Sequence, residues 1–365
     1  MQSANNTRLV LGGYFGCGNL GDEAVLSGLL TGLKDLNVEP IILSGDPPAT
    51  TKQYGIKAVS RMKLSEVKAV LRNADALVMG GGSLLQDVTS RRSLFYYLYL
   101  IRLAKKLTGR VVMVGQGIGP LQRSSSRLFT KLVLNKTDVI AVRDADSFHF
   151  LKSLKIKTPI ELTADTAWLL EPDFEGARRL LKEVGVNPKG ALVGLAPRPW
   201  HTHPNDELAK AFADLAFSLN KEGFQPIGIA MDREVDIPFW KLIHTYCPNV
   251  PIVENIQTPE EAAGLISLMD SLVAMRLHAL LFAAKACVPS LAVIYDPKVH
   301  ALASLLDLPT PLTMRELTSE QLLSRWLAIN SGASTLKNQL AAKRDTQISL
   351  ATRNIALIRQ ALPSL

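Results

Sequence analysis

The feature that most constrains the fold is a glycine-rich turn near the start of the chain, placed between a short apolar run and a helical pattern. Residues 8–12 read as a short buried strand, and from Asp22 onward leucines recur at the spacing of an α-helix. Five glycines between positions 12 and 21 would let a ligand approach the backbone, and the helix N-terminus behind them offers N–H groups to an anion. This arrangement predicts a ligand site on an α/β sheet.

The same turn matches the dinucleotide-binding fingerprint, because its glycines are spaced Gly16-x-Gly18-x-x-Gly21. The loop before the first of these glycines is longer than that fingerprint requires. In addition, Glu39 precedes the second predicted strand and Asp46 follows it, so neither stands where an acidic residue would bind a ribose. A dinucleotide-dependent oxidoreductase is therefore the least favoured function.

Length and periodicity predict two domains. The chain has 365 residues, of which 47% are hydrophobic and 20% charged, as expected of folded globular domains. Continuous aliphatic runs alternate with helical patterns, which indicates parallel sheets covered on both faces. These predicted strands lie at 8–12, 40–44, 76–79, 111–115 and 138–142, and again at 191–196, 226–230, 271–275 and 290–294. We expect an N-terminal Rossmann-like domain at 1–172, a C-terminal one at 173–340, and a helix at 341–365 that returns to the first domain.

Charge and cysteine content indicate which classes of binding partner and which cellular compartment are expected. The net charge of +8 favours an anionic partner, although a scattered surplus of solvated Lys and Arg would give the same value. No stretch interleaves dense basic residues with aromatic ones, so nucleic acid is not predicted as a partner. Three cysteines without ligand spacing suit a reducing compartment. We expect no signal peptide, no membrane span and a cytoplasmic location.

One segment bears on a possible membrane contact. Residues 91–106 form an aromatic helical pattern with basic ends. Apolar residues on nearly every side of this helix favour a buried core helix. The alternative is a peripheral contact with the inner face of the membrane.

Unusual residues cluster where the predicted strands end. Glycine runs at 80–82 and 115–119 follow two further strands of the first half, and cationic side chains follow four other strands, namely Arg143, Arg198, Arg276 and Lys298. In open parallel sheets, ligands bind beyond the carboxyl ends of the strands. These residues therefore predict a site suited to an anionic ligand.

Seven motifs carry a resemblance to a known family. They read GYFGCGNLGDE at 13–23, GGGSLLQD at 80–87, GQGIGP at 115–120, VRD at 142–144, AD at 164–165, RLH at 276–278 and YDPK at 295–298. In this order they resemble the polysaccharide pyruvyl transferase family, and more closely its CsaB-like branch. The resemblance implies an α/β fold of two Rossmann-like, doubly wound domains facing each other across a cleft, as in GT-B glycosyltransferases.

The resemblance also implies an activity. Pyruvate would pass from phosphoenolpyruvate to two hydroxyls of one sugar, forming a cyclic ketal and releasing phosphate. The acceptor would be a sugar of a cell-wall or surface polysaccharide, or of its lipid-diphosphate-linked precursor. No cofactor is expected beyond phosphoenolpyruvate as donor substrate.

Roles follow for individual residues. The resemblance treats His278 as catalytic, and a histidine titrating near neutrality can both donate and accept the protons that ketal formation moves. Arg143 and Lys298 would bind the anions of phosphoenolpyruvate, and Asp22 would orient or deprotonate the acceptor hydroxyl. The other residues expected to contact substrate are Gly16, Gly18, Asn19, Gly21, Glu23, Gly81, Gly82, Gln86, Asp87, Gln116, Gly117, Asp165, Arg198, Arg276 and Tyr295.

Structural alternatives stand beside these roles. His278 precedes an apolar run and could be a core histidine, Arg143 could form a surface salt bridge, and Asp22 could cap a helix. His201 and His203 are spaced for a metal but have no evident third ligand nearby, so no metal is predicted. A nucleotide-sugar glycosyltransferase of the same fold and a non-catalytic binder of anionic glycans remain the competing functions.

Overall fold

The chain divides into two α/β units, seen in a computed structural model that describes residues 7–88, 90–187, 190–201 and 203–362. The first unit contains the chain up to Leu170 together with the residues from Gln347 onward. The second unit is Glu171–Thr346. Each unit is built on one parallel sheet.

In the first unit, the described residues form a sheet in the order β3-β2-β1-β4-β6-β7-β8, with β5 paired to β6. Its strands are β1 (Thr7–Gly12), β2 (Val38–Ser44), β3 (Ala58–Ser60), β4 (Ala76–Met79), β5 (Gly82–Leu85), β6 (Val111–Ile118), β7 (Val139–Val142) and β8 (Ile160–Leu162). Its helices are α1 (Leu20–Leu33), α2 (Pro47–Tyr54), α3 (Leu64–Arg72), α4 (Arg91–Leu107), α5 (Ser124–Leu134) and α6 (Ala145–Ser153), followed by a 3₁₀ turn at Thr166–Leu169.

Strand β1 shows why helices cover both faces of this sheet. Successive side chains of a strand point to opposite faces, and Leu9, Val10 and Leu11 are all fully buried. Val10 belongs to the apolar cluster that includes α4, whereas Leu9 and Leu11 pack in the cluster that includes α1. A strand that is apolar on both faces is stable only when both faces are covered.

In the second unit, the sheet order is β11-β10-β9-β12-β13-β14. Its strands are β9 (Leu192–Ala196), β10 (Gln225–Ile229), β11 (Ile252–Val253), β12 (Ser271–Ala274), β13 (Ser290–Ile294) and β14 (Leu312–Thr313). Its helices are α7 (Phe174–Glu183), α8 (Asn205–Lys221), α9 (Arg233–Tyr246), α10 (Pro259–Ser267), α11 (Leu277–Lys285), α12 (Pro297–Leu305) and α13 (Ser319–Ser331). A last helix, α14 (Ala333–Ala361), starts in the second unit and belongs to the first from Gln347.

The glycine runs of the first unit differ from expectation. The sequence predicts a strand that ends at Gly115, but the corresponding strand β6 continues to Ile118. The run after β4 likewise leads into strand β5, whose Gly82 pairs with Gln116 and Leu85 with Ile118. Much of this glycine-rich sequence therefore lies within the sheet, where strand pairing satisfies part of its backbone hydrogen bonding.

The aromatic segment forms helix α4, which buries one face in the core. Its buried residues are Leu94, Tyr97, Leu98, Leu100, Ile101 and Ala104. Across the described parts of the chain, the structure contains no helix that combines the length and the apolarity needed to span a bilayer.

Candidate functional site

Arg143 is the central cation at the carboxyl edge of the first sheet. It follows β7 directly, and its side chain is 10% exposed. One Nη donates to Asp165 and the other to Ser83 Oγ at 3.3 Å. Burial alone would lower the pKa of Arg143, but the carboxylates of Asp165 and Asp144 outweigh it and raise that pKa. The guanidinium is therefore charged and held in one orientation.

Two glycines make room beside this guanidinium. A Cβ on Gly117 would lie 2.9 Å from Ser83 Oγ and 3.1 Å from Arg143 Nε. A Cβ on Gly82, whose φ is +98°, would lie 3.1 Å from Asp22 Oδ1. The predicted residues Asp22, Gly82, Gly117, Arg143 and Asp165 are thus brought together at one place.

The glycine-rich turn after β1 is stabilised by its own polar residues. Asn19 is the N-cap of α1 and accepts from the N–H of Gly21 at 2.9 Å. Glu23 is buried and accepts from the N–H of Gly16 at 2.6 Å. Asn19, and not Asp22, caps the helix. Gly18 has φ +76° and open space around its Cβ position, so it serves the turn conformation.

Other predicted contact residues hold the backbone of the strand ends. Gln116 is fully buried, and its Nε2 donates to the carbonyls of Gly80, of Met79 at 3.0 Å and of Val114 at 3.2 Å. Gly81 packs against the backbone of β6, since a Cβ there would lie 2.6 Å from the carbonyl oxygen of Gly115. In this geometry the amide of Gln116 connects β4 to β6.

The last two predicted residues of the first unit lie just after β5. Gln86 Oε1 accepts from the N–H of Val88 at 2.8 Å. Asp87 is buried and accepts from the N–H groups of Gln122 at 2.7 Å and Arg123 at 3.1 Å. Asp87 thereby fastens the segment that leads into α5.

Sequence reasoning missed Arg61, a second buried arginine at this edge. Arg61 directly follows β3 and is 9% exposed. Its guanidinium carbon lies 4.9 Å from the ring centroid of Tyr14, 5.4 Å from that of Tyr96 and 5.7 Å from that of Tyr97. Nη1 donates to the carbonyl of Gly13 at 3.4 Å. The signal was its position after a strand, but a strand of three residues shows no readable pattern.

In the second unit, Arg198 and Tyr295 meet at the carboxyl edge. Arg198 follows β9 and donates to the hydroxyl of Tyr295, which follows β13, at 3.0 Å. Trp200 completes the group, with its ring centroid 4.6 Å from that of Tyr295. Burial raises the pKa of Tyr295, although the nearby arginines act to lower it. The phenol therefore stays protonated at neutral pH.

Arg276 follows β12 and is paired with a carboxylate that sequence reasoning did not identify. Its Nη2 donates to Asp236, which is completely buried in the first turn of α9. Asp236 also accepts from the N–H groups of Met231 and Asp232, each at 3.0 Å. Burial raises the pKa of Asp236, opposed by the charge of Arg276. This carboxylate links the loop after β10 to the end of β12.

Two arginines of the second unit keep unsatisfied donors. The Nε atoms of Arg198 and Arg276 are buried and have no hydrogen-bond acceptor among the described residues. Buried donors without a partner are rare in folded proteins. Both lie at the edge of the sheet where ligands bind in this architecture, so these donors fit an anionic ligand.

The two remaining predicted catalytic residues lie at the starts of helices in the second unit. His278 is the second residue of α11, half-buried, with its ring centroid 6.4 Å from that of Phe282. Lys298 is the second residue of α12 and exposed, and its backbone N–H donates to Asp296 at 2.8 Å. Both follow strands whose carboxyl ends carry Arg276 and Tyr295.

His201 and His203 lie in the loop after β9, where His201 packs against Trp200 with ring centroids 4.4 Å apart. Within the described ranges there is no group of three or more His, Cys, Asp or Glu side chains that could hold a metal ion.

Comparison with known proteins identifies both the family and the fold. The family model of the polysaccharide pyruvyl transferases matches residues 19–297. Among solved structures, UDP-GlcNAc 2-epimerase from Neisseria meningitidis bound to UDP-GlcNAc has a TM-score of 0.61 at 13% identity, covering 98% of this chain and 100% of that one. A glycosyltransferase from Rickettsia africae has a TM-score of 0.64 at 14% identity, covering 98% and 99%.

A third structure, Anabaena Alr3699/HepE in complex with UDP-glucose, has a TM-score of 0.63 at 13% identity and covers 98% of this chain and 100% of that one. At such low identity these likenesses show the fold alone. They confirm the predicted α/β architecture of two GT-B-like domains with parallel sheets.

Proposed function

Because the chain belongs to the polysaccharide pyruvyl transferase family, we propose that it transfers the pyruvyl group of phosphoenolpyruvate to two hydroxyls of one sugar residue. The product is a cyclic ketal, and phosphate is released. The acceptor is a sugar of a cell-wall or surface polysaccharide or of its lipid-diphosphate-linked precursor. The seven motifs support the CsaB-like branch of the family, and the three free cysteines suit a reaction in the cytoplasm.

The reaction balances without an oxidant or reductant. A proton added to the methylene carbon of phosphoenolpyruvate gives a methyl group and makes the adjacent carbon electrophilic. The first sugar hydroxyl forms a C–O bond to that carbon and loses its proton. The second hydroxyl then forms the other C–O bond and loses its proton, while the bond to the phosphate oxygen breaks and phosphate leaves.

The observation that carries the proposal is the set of arginines at the two carboxyl edges. Arg61 and Arg143 lie at the edge of the first sheet, and Arg198 and Arg276 at that of the second. The last two keep buried Nε donors without an acceptor among the described residues. A substrate with a carboxylate and a phosphate needs several fixed cations, and arginine suits bidentate contact with either group.

We assign the proton transfers and remaining contacts as follows. Arg143 and Lys298 bind the anions of phosphoenolpyruvate, His278 moves the proton at the methylene carbon or the attacking hydroxyl, and Asp22 orients the acceptor hydroxyl. Asp165 holds Arg143 in place through the ion pair described above. These roles rest on the family's motif pattern and on the strand-end positions of the residues.

A second candidate is a nucleotide-sugar-dependent glycosyltransferase. It is favoured by the likeness in fold to a glycosyltransferase and to proteins whose structures hold UDP-GlcNAc or UDP-glucose. That candidate requires a nucleoside diphosphate as leaving group, whereas the leading proposal releases inorganic phosphate.

Phosphate release measured with a panel of acceptors distinguishes the two. The purified chain is incubated with phosphoenolpyruvate and either free disaccharides or lipid-diphosphate-linked sugars, and product mass is followed in parallel. We expect phosphate only when donor and a suitable acceptor are both present, and a product heavier than the acceptor by the mass of one pyruvic acid minus one water. Turnover with a nucleotide sugar, and none with phosphoenolpyruvate, would establish the second candidate instead.

A further inference from the structure

Helix α5 carries three large apolar side chains on its solvent-exposed side, the reverse of a helix that packs on a core. Its buried residues are Ser126, Thr130 and Leu134, spaced four apart on one face. On the opposite side Leu128 is 54% exposed, Phe129 47% and Leu132 52%. A surface helix of a globular protein normally has the reverse arrangement. The outward-facing apolar stripe therefore needs a reason other than packing within this unit.

Helix α4 extends this stripe. The rings of Phe95 and Phe129 are in edge contact with centroids 5.6 Å apart. Tyr99, one turn further along α4, is 43% exposed. We call the surface formed by Phe95, Tyr99, Leu128, Phe129 and Leu132 the α4–α5 face. Arg91 lies over the ring of Phe95 at 5.8 Å, so a cation borders the apolar area directly.

The positive charge of the chain is concentrated around this face. The fifty residues from Val88 to Thr137 contain ten of the 41 Lys and Arg residues and none of the 33 Asp and Glu residues. The rest of the chain therefore has 31 basic side chains against 33 acidic ones. Exposed basic residues on the two helices include Arg91, Arg92, Arg102, Lys106 and Arg127.

We propose that the α4–α5 face docks on an anionic lipid bilayer. Helices that lie in the membrane interface combine outward Leu and Phe side chains with Lys and Arg that attract acidic headgroups. The α4–α5 face has both properties, and the nearest acid in sequence after the segment, Asp138, is paired with Lys105 of α4. Docking places the first unit on the membrane surface without any segment crossing the bilayer.

Charge decides against the competing occupants. A second copy of the chain would bring the same basic segment against the face and would be repelled. An acidic protein partner would satisfy the charge but not the exposed Leu and Phe side chains, whereas a bilayer accepts both at its interface.

Vesicle co-sedimentation of the full chain tests the proposal. Phosphatidylcholine vesicles containing phosphatidylglycerol are compared with vesicles of phosphatidylcholine alone. We expect binding to the anionic vesicles, weaker by at least tenfold for the triple variant Leu128→Ser/Phe129→Ser/Leu132→Ser. Substituting Arg92, Arg102 and Arg127 with Gln should weaken binding about fivefold per charge removed and reduce its dependence on the anionic lipid.

The matched control is Phe217→Ser, which removes a side chain that is 55% exposed on α8 of the second unit. It should bind vesicles as the unmodified chain does. Thermal melting and turnover of a water-soluble acceptor accompany each variant, because the residues changed lie outside the assigned catalytic set. Binding does not require phosphoenolpyruvate, so failure of the proposed activity would leave this result interpretable.

Three outcomes would overturn the proposal. They are absence of binding to anionic vesicles, equal binding by the triple variant, and a dimer in solution that the triple variant converts to a monomer. The last would show that a second copy covers the face.

Discussion

Substitutions of Arg143 and His278 should have different effects on turnover and on the affinity for phosphoenolpyruvate. A general acid–base group contributes roughly 10²–10⁴-fold to rate without holding the substrate. His278→Ala should therefore abolish turnover and leave phosphoenolpyruvate affinity nearly unchanged. Arg143→Ala should lose both, because an arginine paired with a substrate anion acts in the ground state and the transition state alike.

Steady-state kinetics, isothermal titration with phosphoenolpyruvate and thermal melting measure these effects together. Melting matters because a half-buried histidine that served only packing would destabilise the second unit when truncated. A His278→Ala variant that folds normally and keeps most of its activity would contradict the catalytic assignment, which would then pass to Asp22 or Lys298.

Asp236 should act on catalysis through Arg276. Its carboxylate is fully buried and paired with that guanidinium, and a charge-assisted hydrogen bond contributes about 1.5–3 kcal/mol. Asp236→Asn should raise the KM for phosphoenolpyruvate by roughly 10- to 100-fold, which is that energy expressed as an affinity. Asp232→Asn is the control, since that carboxylate lies 3.7 Å from the same guanidinium and is more exposed, so its effect should be smaller.

A double-mutant cycle with Arg276→Lys separates positioning from a general loss of stability. If Asp236 acts through Arg276, the double variant should be little worse than the poorer single variant. Fully additive losses in kcat/KM would show that Asp236 acts elsewhere.

At this scale the sequence predicts residues that directly follow long apolar strands. Arg143, Arg198 and Arg276 could be predicted at the carboxyl edges because the apolar strands before them are recognisable in the sequence. Arg61 could not be predicted because the strand before it, β3, has only three residues. Asp236 could not be predicted because it lies in the first turn of a helix and contacts Arg276, 40 positions away in the sequence. Contacts between loops of different strands depend on the fold and have no local pattern.

Helix α14 should stabilise the first unit through one buried amide as well as through apolar packing. Asn354 Oδ1 accepts from the N–H of Gly115 and from the hydroxyl of Thr163, both at 3.0 Å, and Nδ2 donates to the carbonyl of Ala164 at 2.8 Å. Asn354→Leu leaves the N–H of Gly115 and the carbonyl of Ala164 unsatisfied, at about 1–3 kcal/mol each, while the hydroxyl of Thr163 keeps its bond to the carbonyl of Val142. We expect a loss of roughly 2–5 kcal/mol in the free energy of unfolding, measured in urea.

The neighbouring ion pair provides the control. Arg353 and Glu161 are 38% and 36% exposed, so Arg353→Ala should cost no more than about 1 kcal/mol. Equal effects of the two substitutions would contradict the role given to the buried amide.

The stability that Asp87 gives to the segment before α5 should depend on pH. Burial acts to raise the pKa of Asp87, but the N–H donors of Gln122 and Arg123 and the charge of Arg123 outweigh it and lower that pKa. A carboxylate with a lowered folded pKa contributes stability that is fully present above its unfolded pKa, about 3.9, and is lost as pH falls through the folded value.

The Tm of the unmodified chain should therefore exceed that of Asp87→Asn by a constant margin from pH 7 down to about pH 4, and the margin should close below that. Thermal melts at a series of pH values measure it. A margin that shrinks already between pH 7 and 5 would show that the pKa of Asp87 is not lowered.

The elements themselves divide by length. All nine strands expected from aliphatic runs are present, whereas five others were not foreseen, namely β5 and the strands of only two or three residues, β3, β8, β11 and β14. Such short runs are too brief for periodicity and form because a neighbouring strand offers unpaired backbone groups. In helix α5 the apolar residues Leu128, Phe129 and Leu132 are exposed and the polar Ser126 and Thr130 are buried, so apolar spacing does not identify its buried face.

For the whole molecule, we expect catalysis without a divalent metal or a nucleotide. Fixed arginine and lysine side chains stabilise the charge on the departing phosphate in the proposed reaction, which is the task that a metal ion performs in other phosphate chemistry. Turnover should therefore be unchanged by a chelator or by added nucleotide. Complete loss of activity in chelator, restored by magnesium alone, would contradict this expectation.

The outward apolar stripe of α5 also affects how the chain reaches its native state. A turn of α5 about its own axis would bury Leu128, Phe129 and Leu132 and expose Ser126 and Thr130, so local hydrophobicity favours a non-native orientation. Folding landscapes are smooth where local and global preferences agree, and here they conflict. The bonds from Gln122 and Arg123 to Asp87 oppose that turn at the start of the helix. Two hydrogen bonds from backbone N–H groups to one carboxylate, made before the first turn of the helix, thus favour its native orientation over the one that local hydrophobicity prefers.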